Sequence, residues 1–324
     1  MARNDFAHLR NQKSWRSGGS LILLLAALWA YAGYALLAAD FDPKEEQQFR
    51  LDREAWMKSS ASPLALAGLY WLKQGPNSFG TDAKNNIILP PGTAPAYVGK
   101  LALHGLKVQL QVENPEAKVL LKKVRIQSRE LKSDAGGGPA DVLELNDLRL
   151  KIIERSDKTG LRLINLKNPP LMRASPLDFF PASPQFRTLA SFTPYTPAKK
   201  IKIASVIGTE EEMICPGIVR FQLGGQEYSL EPVAAPGEPL FFIFKDRTNG
   251  KETYGGGRFL LAPPPKEGKV VLDFNMAHNP YCAYSSFATC PMPPPQNWLK
   301  VRIPAGEKKY PGKTGANKTG GQKK

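Results

Sequence analysis

The chain has 324 residues, a formal net charge of +15 and 42% hydrophobic residues, and it is long enough for two small β domains or one large one. Most of the charge lies at the ends: residues 308–324 contain six lysines and no acidic residue, residues 1–19 carry +3, and +6 remains for the body. So mild a charge on the body argues against a nucleic-acid-binding protein. It favours anionic lipid or an envelope polymer as a partner.

The N-terminal segment predicts a membrane anchor. A basic stretch, residues 1–19, precedes nineteen uncharged residues, Leu21–Ala39, which as a helix would nearly span a bilayer core. The basic flank is expected to stay in the cytoplasm and the rest of the chain to lie outside it. We therefore predict a single-pass protein of a bacterial cell membrane, anchored by residues 20–39. The alternative is a signal peptide cleaved after small residues such as Ala30 and Ala32, which would leave a secreted or periplasmic protein.

A short juxtamembrane helix is predicted over residues 42–60. Asp42 suits the N-cap, Pro43 the first helical position and Glu45 the first turn, where an acidic side chain is favourable. Pro63 lies beyond the expected end of the helix.

Residues 62–168 form a first block that is rich in predicted strands. Its short apolar or alternating runs are separated by Gly, Pro, Asn and Asp, which is typical of an antiparallel sandwich. The runs are Tyr70–Leu72, Ile87–Leu89, Val108–Val112, Val119–Leu121, Val124–Ile126, Leu148–Ile153 and Leu161–Ile164.

Residues 172–307 form a second such block, with proline-rich connectors between its strands. The predicted strands are Arg187–Phe192, Lys200–Ile207, Ile218–Leu223, Gln226–Leu230, Leu240–Phe244, Arg258–Ala262, Lys269–Asn275 and Trp298–Ile303. The predicted fold is therefore all-β, with two packed antiparallel sandwich or barrel subdomains behind the anchor. A disordered basic tail is expected over residues 308–324.

The stretch from Leu272 to Pro291 holds the densest set of functional groups in the chain. Cys282 and Cys290 within it are candidates for a disulfide in an oxidising compartment. Two alternatives are a metal site completed by His278 and Asp273, and unpaired thiols. A nucleophilic Cys282 with His278 as its base is disfavoured, because the intervening Pro280 argues against the helix that would bring them together.

A glycine-rich segment, Thr253–Arg258, could approach a ligand closely, and Arg258 could hold a carboxylate or phosphate. The alternative is a glycine bulge in which Arg258 pairs with Asp273. Asn249-Gly250, just before this segment, predicts a type I′ hairpin that joins Leu240–Phe244 to Thr253–Tyr254.

The start of the first block resembles a forkhead-associated (FHA) domain, in the run Leu72–Asp82 followed by Asn85–Pro90. Thr81 stands where that family has its phosphate-binding arginine, and the loop Gly92–Tyr97 lacks the family's serine and histidine. The resemblance therefore implies a sandwich fold without phosphothreonine recognition, because the guanidinium fork that would hold the phosphate is missing.

A wider resemblance, over residues 50–310, is to the domain-of-unknown-function family 1684. The motifs that carry it are Ser62–Leu64, Gly68–Leu72, Asn77–Gly80, Phe192–Tyr195, Lys245–Thr248, Thr253–Leu260, Asp273–Pro291, Asn297 and Ala305–Glu307. This family has no settled activity, so the resemblance implies relatives without naming a reaction.

We expect a binding module for a small anionic or polyhydroxylated ligand or an envelope partner. Its predicted pocket is made of Tyr254, Gly256, Gly257, Arg258, Asp273, Asn275 and Asn279. One alternative is a structural or interaction protein of an envelope assembly. The other is a hydrolase with Asp273 as base or metal ligand and His278 or Tyr254 as proton-transfer partner. No metal or cofactor is predicted, and the sequence leaves enzymatic activity and oligomeric state open.

Overall fold

The computed structural model describes residues 41–135 and 139–312. The basic N-terminus, the predicted anchor and most of the predicted basic tail lie outside these ranges. In the part of the chain that is described, no helix is both long and apolar enough to cross a membrane.

Helix α1 (Pro43–Met57) begins as the sequence predicts. The Asp42 carboxylate accepts a 2.9 Å hydrogen bond from the backbone N–H of Lys44, and Pro43 occupies the first turn. A second helix, α2 (Pro169–Met172), is a single turn between the two β-rich blocks.

Strands are the predominant regular secondary structure of the described chain. They are β1 (Leu66–Trp71), β2 (Gly75–Gly80), β3 (Ile87–Ile88), β4 (Gly99–His104), β5 (Lys107–Val112), β6 (Leu120–Leu121), β7 (Val124–Arg125), β8 (Ser128–Leu131), β9 (Val142–Leu145), β10 (Leu148–Arg155), β11 (Lys158–Asn165), β12 (Arg187–Ala204), β13 (Glu210–Leu223), β14 (Gln226–Leu230), β15 (Leu240–Phe244), β16 (Arg258–Ala262) and β17 (Lys269–Asp273).

The first eleven strands form two sheets that pack face to face. One sheet has the order β1-β11-β10-β9-β6-β7 and the other the order β3-β2-β4-β5-β8. Pairing is antiparallel except between β2 and β3. The apolar side chains of both inner faces meet in one core that includes Phe79, Leu101, Leu143 and Leu163. This is the arrangement of a β-sandwich.

The remaining strands form a four-stranded sheet, β14-β13-β12-β17, and the hairpin β15-β16. They share a second core, with Phe242, Phe244, Leu272 and Phe274 among its most buried side chains. The chain is mostly β-sheet with few helices, in agreement with the predicted fold class.

Two expectations for the second block are wrong. Strand β15 pairs with β16, in the register Phe244↔Arg258, and residues 245–257 form a long loop. Gly250 has a φ of +87° but Asn249 does not share this left-handed conformation, which a type I′ turn requires at both positions.

The run Trp298–Ile303 is also not a strand. Its backbone exchanges hydrogen bonds with Lys245 and Arg247, but these amount to an isolated bridge, Lys245↔Trp298, and not to a ladder. The carbonyl of Ile303 accepts a hydrogen bond from the side chain of Arg258.

Candidate functional site

A buried carboxylate, Glu307, joins helix α1 to the predicted motif Asp273–Pro291. Its Oε2 accepts a 2.9 Å hydrogen bond from Arg53 Nη2, and its Oε1 accepts from the Tyr284 hydroxyl and, at 3.0 Å, from Asn279 Nδ2. Glu307 has no exposed surface. Asn279, a predicted ligand-binding residue, is therefore a bridge within the protein, and only its Oδ1 lacks a partner in the described residues.

The backbone at Gly306 brings Glu307 into this position. Gly306 has a φ of +75°, and an added Cβ would lie 2.2 Å from the carbonyl oxygen of Ala277. The next amide, that of Glu307, donates a 2.8 Å hydrogen bond to the same oxygen. Only glycine permits so close an approach in this conformation.

Asp273 and Asn275 form a second closed network. Asp273 Oδ2 accepts from Arg187 Nη1 at 2.9 Å, and Oδ1 accepts from the backbone and side-chain N–H groups of Asn275 at 3.0 and 2.8 Å. Asn275 also exchanges hydrogen bonds with the backbone of Ser183. Both oxygens of Asp273 are thus occupied, and the expected pairing of Asp273 with Arg258 is wrong.

Arg258 pairs instead with Asp246, and both side chains are completely buried. Its Nη1 donates to the carbonyl of Ala305 at 2.6 Å and its Nη2 to that of Ile303 at 3.0 Å, besides the ion pair. The guanidinium lies 5.1 Å from the centre of the Phe244 ring. Arg258 thus stabilises the second core, and both of its terminal nitrogens donate hydrogen bonds to groups of the protein itself.

The predicted glycines make room for the protein's own side chains. A Cβ on Gly256 would lie 2.4 Å from the Tyr254 ring, and one on Gly257 would lie 2.3 Å from Pro293 Cγ. Gly257 also has a φ of +111°, where other residues are strained. The space beside these glycines, which the sequence assigns to a ligand, is therefore occupied by the side chains of Tyr254 and Pro293.

Cys282 and Cys290 lie side by side as buried thiols, and the backbone N–H of Cys282 donates to Cys290 Sγ at 3.2 Å. Hydrogen bonding to Cys282 and burial raise the pKa of Cys290 well above its usual range. Burial and the neighbouring Cys282 likewise raise the pKa of Tyr254. Cys290 and Tyr254 therefore stay protonated at neutral pH, which makes them weak nucleophiles. The predicted disulfide between Cys282 and Cys290 remains a prediction.

His278 is the remaining catalytic candidate, and its environment disfavours proton transfer. Its ring lies between Phe49 and Phe259, with centroid distances of 6.1 and 6.2 Å, and Nδ1 is 3.2 Å from the carbonyl oxygen of Met276. Burial, and then the charge of Arg53, lower the pKa of His278 to about 3. The imidazole is thus neutral and weakly basic. In the described residues, no group of three or more His, Cys, Asp and Glu side chains is placed to bind a metal ion.

A pair of arginines that no sequence motif indicates lies where the first sandwich meets the motif Asp273–Pro291. Arg162 Nη2 and Arg155 Nε both donate to Thr289 Oγ1, at 3.0 and 3.2 Å. Arg155 is neutralised by Asp134 through two hydrogen bonds of 3.0 Å. Arg162 forms no salt bridge with a described residue, and its buried Nε has no acceptor there. Burial, and then Arg155, lower the pKa of Arg162.

The sequence signal for Arg162 is weak for a physical reason. Arg162 stands between Leu161 and Leu163 in β11, and in an alternating strand such a position reads as the solvent face. In the structure the residues around Thr289 cover part of that face. The composition of one strand cannot show which loop will cover it.

The comparisons with known proteins agree with the sequence resemblances. Residues 175–308 match the family profile described as "Protein of unknown function (DUF1684)". No curated protein matches the chain. Two FHA domains are each 14% identical, with a TM-score of 0.22. The first comes from a study of phosphothreonine-dependent FHA domain interactions, and the match covers 30% of this chain and 92% of that domain. The second is the FHA domain of FhaA in a complex, where the match covers 29% and 96%.

An uncharacterised protein of Haloarcula marismortui, solved by NMR in solution, is 30% identical to this chain. The match covers 42% of this chain and 77% of that protein, with a TM-score of 0.36. The family profile identifies residues 175–308 as a domain of the family of proteins of unknown function DUF1684.

Proposed function

We propose that this protein is a binding module that holds an anionic group of its ligand at Arg162. The observation that carries the proposal is a half-buried guanidinium that forms no salt bridge with any residue the structure describes and whose buried Nε has no acceptor among them. Buried charges are nearly always paired, because leaving one unpaired costs several kcal/mol, roughly the desolvation penalty of the ion. A bound carboxylate or phosphate would supply the missing partner.

Thr289 would provide a further donor. Its oxygen accepts from both arginines, so the hydroxyl hydrogen remains available for an oxygen of the ligand. Tyr281 has 42% of its surface exposed and packs against Trp56, with 5.3 Å between the ring centres. It lies close enough to influence the pKa of Arg162 and offers an aromatic face for the uncharged part of a polyhydroxylated ligand.

Binding is better supported than hydrolysis. Asp273 is engaged by Arg187 and Asn275, and the pKa of His278 is too low for a general base at neutral pH. Glu307 and Arg258 are buried and hydrogen-bonded within the protein. They therefore support a rigid scaffold and are not placed to take part in a reaction.

We also propose that the site faces the outside of the cytoplasm, as the basic residues 1–19 and the uncharged run Leu21–Ala39 support. Envelope polymers and anionic metabolites are the ligands available there. A reporter enzyme that is active only outside the cytoplasm, fused after residue 312, should be active. An inactive fusion present at normal level would contradict this placement.

The binding proposal is tested by calorimetric titration of the purified full-length chain with inorganic phosphate and with acetate. We expect saturable binding of at least one of them, weakened about tenfold or more by Arg162→Gln. Arg162→Lys should also weaken it, because lysine keeps the charge but loses the planar fork.

The chain offers a matched control in Arg220. This arginine also lies in a strand and donates to a threonine hydroxyl, Thr193 Oγ1 at 3.4 Å, but it is exposed. Arg220→Gln should leave the affinity within about twofold. Binding that survives Arg162→Gln unchanged, or that Arg220→Gln weakens equally, would contradict the proposal.

A further inference from the structure

A cleft on the first sandwich, separate from Arg162, carries its own set of cations. It has a volume of about 420 Å³ and lies between the β6–β7 turn, β8 and the β9–β10 pair. The charged residues that line it are Lys122, Arg129, Lys132, Asp141, Glu144 and Arg149. Its volume is within the range of small-molecule sites in proteins, about 300–1,000 Å³.

The charges in the cleft are not balanced. Arg129 approaches Asp141 at 3.5 Å and Arg149 approaches Glu144 at 3.3 Å. The side chains of Lys122 and Lys132 make no ion pair with any residue that the structure describes. The four cations and two carboxylates therefore leave a positive potential, which a concave surface concentrates.

The backbone at Lys122 is strained. Lys122 and Lys123 have φ values of +50° and +67°, and they are the two central residues of the tight turn between β6 and β7. Asn-Gly adopts this conformation readily, whereas a residue with a long side chain does so at a cost. Strain of this kind persists at sites where the side chain serves a purpose other than folding.

From these observations we infer that the cleft binds a small molecule with two or more phosphate or carboxylate groups, and that Lys122 contacts it. Lys122 lies in the β6–β7 turn, Arg129 and Lys132 lie in or next to β8, and Arg149 lies in β10. Four cations spread in this way suit several separated anionic groups better than one. The strained turn positions Lys122 at the wall of the cleft, where an unstrained Asn-Gly turn would leave no cation.

The turn itself supplies a matched pair of variants, Lys122→Gly and Lys123→Gly. Lys122 lines the cleft, whereas Lys123 does not: its side chain is exposed and pairs with the lining residue Glu144 at 2.7 Å. Both substitutions place glycine at a positive φ, so both should raise the melting temperature by about 1–3 °C. Only Lys122→Gly should weaken binding, by about fivefold, and Lys123→Gly should stay within about twofold.

The probe is tripolyphosphate, titrated calorimetrically into full-length protein that carries Arg162→Gln, so that the site at Arg162 does not contribute. The expected result is a more stable Lys122→Gly protein that binds the probe more weakly. Equal binding by both glycine variants, or no binding in the Arg162→Gln background, would overturn the inference. A lower melting temperature for both variants would overturn it too, because the turn would then not be strained.

Discussion

Arg53 in helix α1 donates a 2.9 Å hydrogen bond to the carboxylate of Glu307, which lies 254 positions later in the chain. The same arginine donates to the Tyr284 hydroxyl at 3.1 Å and packs over the Trp56 ring at 4.2 Å. A side chain from the first described element thus completes the network around one of the last. The helix is part of the folded body and not merely a spacer after the predicted anchor.

Removing this carboxylate should destabilise the protein strongly. Glu307→Gln leaves Arg53 buried without an anion, and breaking a buried pair in this way costs about 3–5 kcal/mol. Urea unfolding measures the change in free energy. Glu252→Gln, which breaks the exposed pair with Arg302, is the control and should cost less than about 1 kcal/mol. Equal costs for the two variants would show that the Glu307 network contributes little.

Arg258 is expected to be a folding residue. Arg258→Met leaves Asp246 completely buried without a cation, so the variant should lose about 3–5 kcal/mol or fail to fold. The double variant Asp246→Leu with Arg258→Met should recover part of that loss, because no unpaired charge remains. Thermal melting followed by circular dichroism measures both. A single variant that melts like the wild-type protein would restore Arg258 as a candidate ligand contact.

Stability should fall as the pH is lowered, in part because of His278. Its pKa is lowered from 6.5 to about 3 in the folded protein. Between these values the unfolded chain binds a proton that the folded protein does not, so the free energy of unfolding decreases as pH falls from about 6.5.

The test is denaturant unfolding at a series of pH values between neutral and acidic. His278→Gln should flatten the pH dependence in this window, and His104→Gln, at an exposed position in β4, should not. An unchanged slope in the His278→Gln protein would show that this imidazole is protonated in the folded state.

In an oxidising compartment Cys282 and Cys290 should form a disulfide, giving two electrons and two protons to an oxidant such as a protein disulfide. The Cys282 amide already contacts Cys290 Sγ at 3.2 Å. Thiol titration of denatured protein from that compartment should find one thiol, Cys215, out of three. The bond should stabilise the fold by about 2–3 kcal/mol. Three titratable thiols would contradict the prediction.

Local sequence predicted several strands at the bounds that the structure shows. Gln226–Leu230, Leu240–Phe244 and Arg258–Ala262 are apolar or alternating runs between turn residues, so the signal is local. Gly75–Gly80 is not predicted, because its glycine, proline and polar residues give no such pattern. Gly99–His104 is not predicted either, although it contains the short apolar run Leu101–Leu103. Their strand conformation comes from pairing with each other.

By itself the sequence determined the fold class, the start of helix α1, the family and the region where functional groups concentrate. These follow from periodicity, capping and motif, which neighbouring residues specify. Only the tertiary structure decided that Arg258 pairs with Asp246 while Asp273 pairs with Arg187, and that Arg162 forms no salt bridge within the described part of the chain. Ion pairing depends on distances between residues far apart in the chain, and burial sets its strength. Neither quantity can be obtained from local sequence.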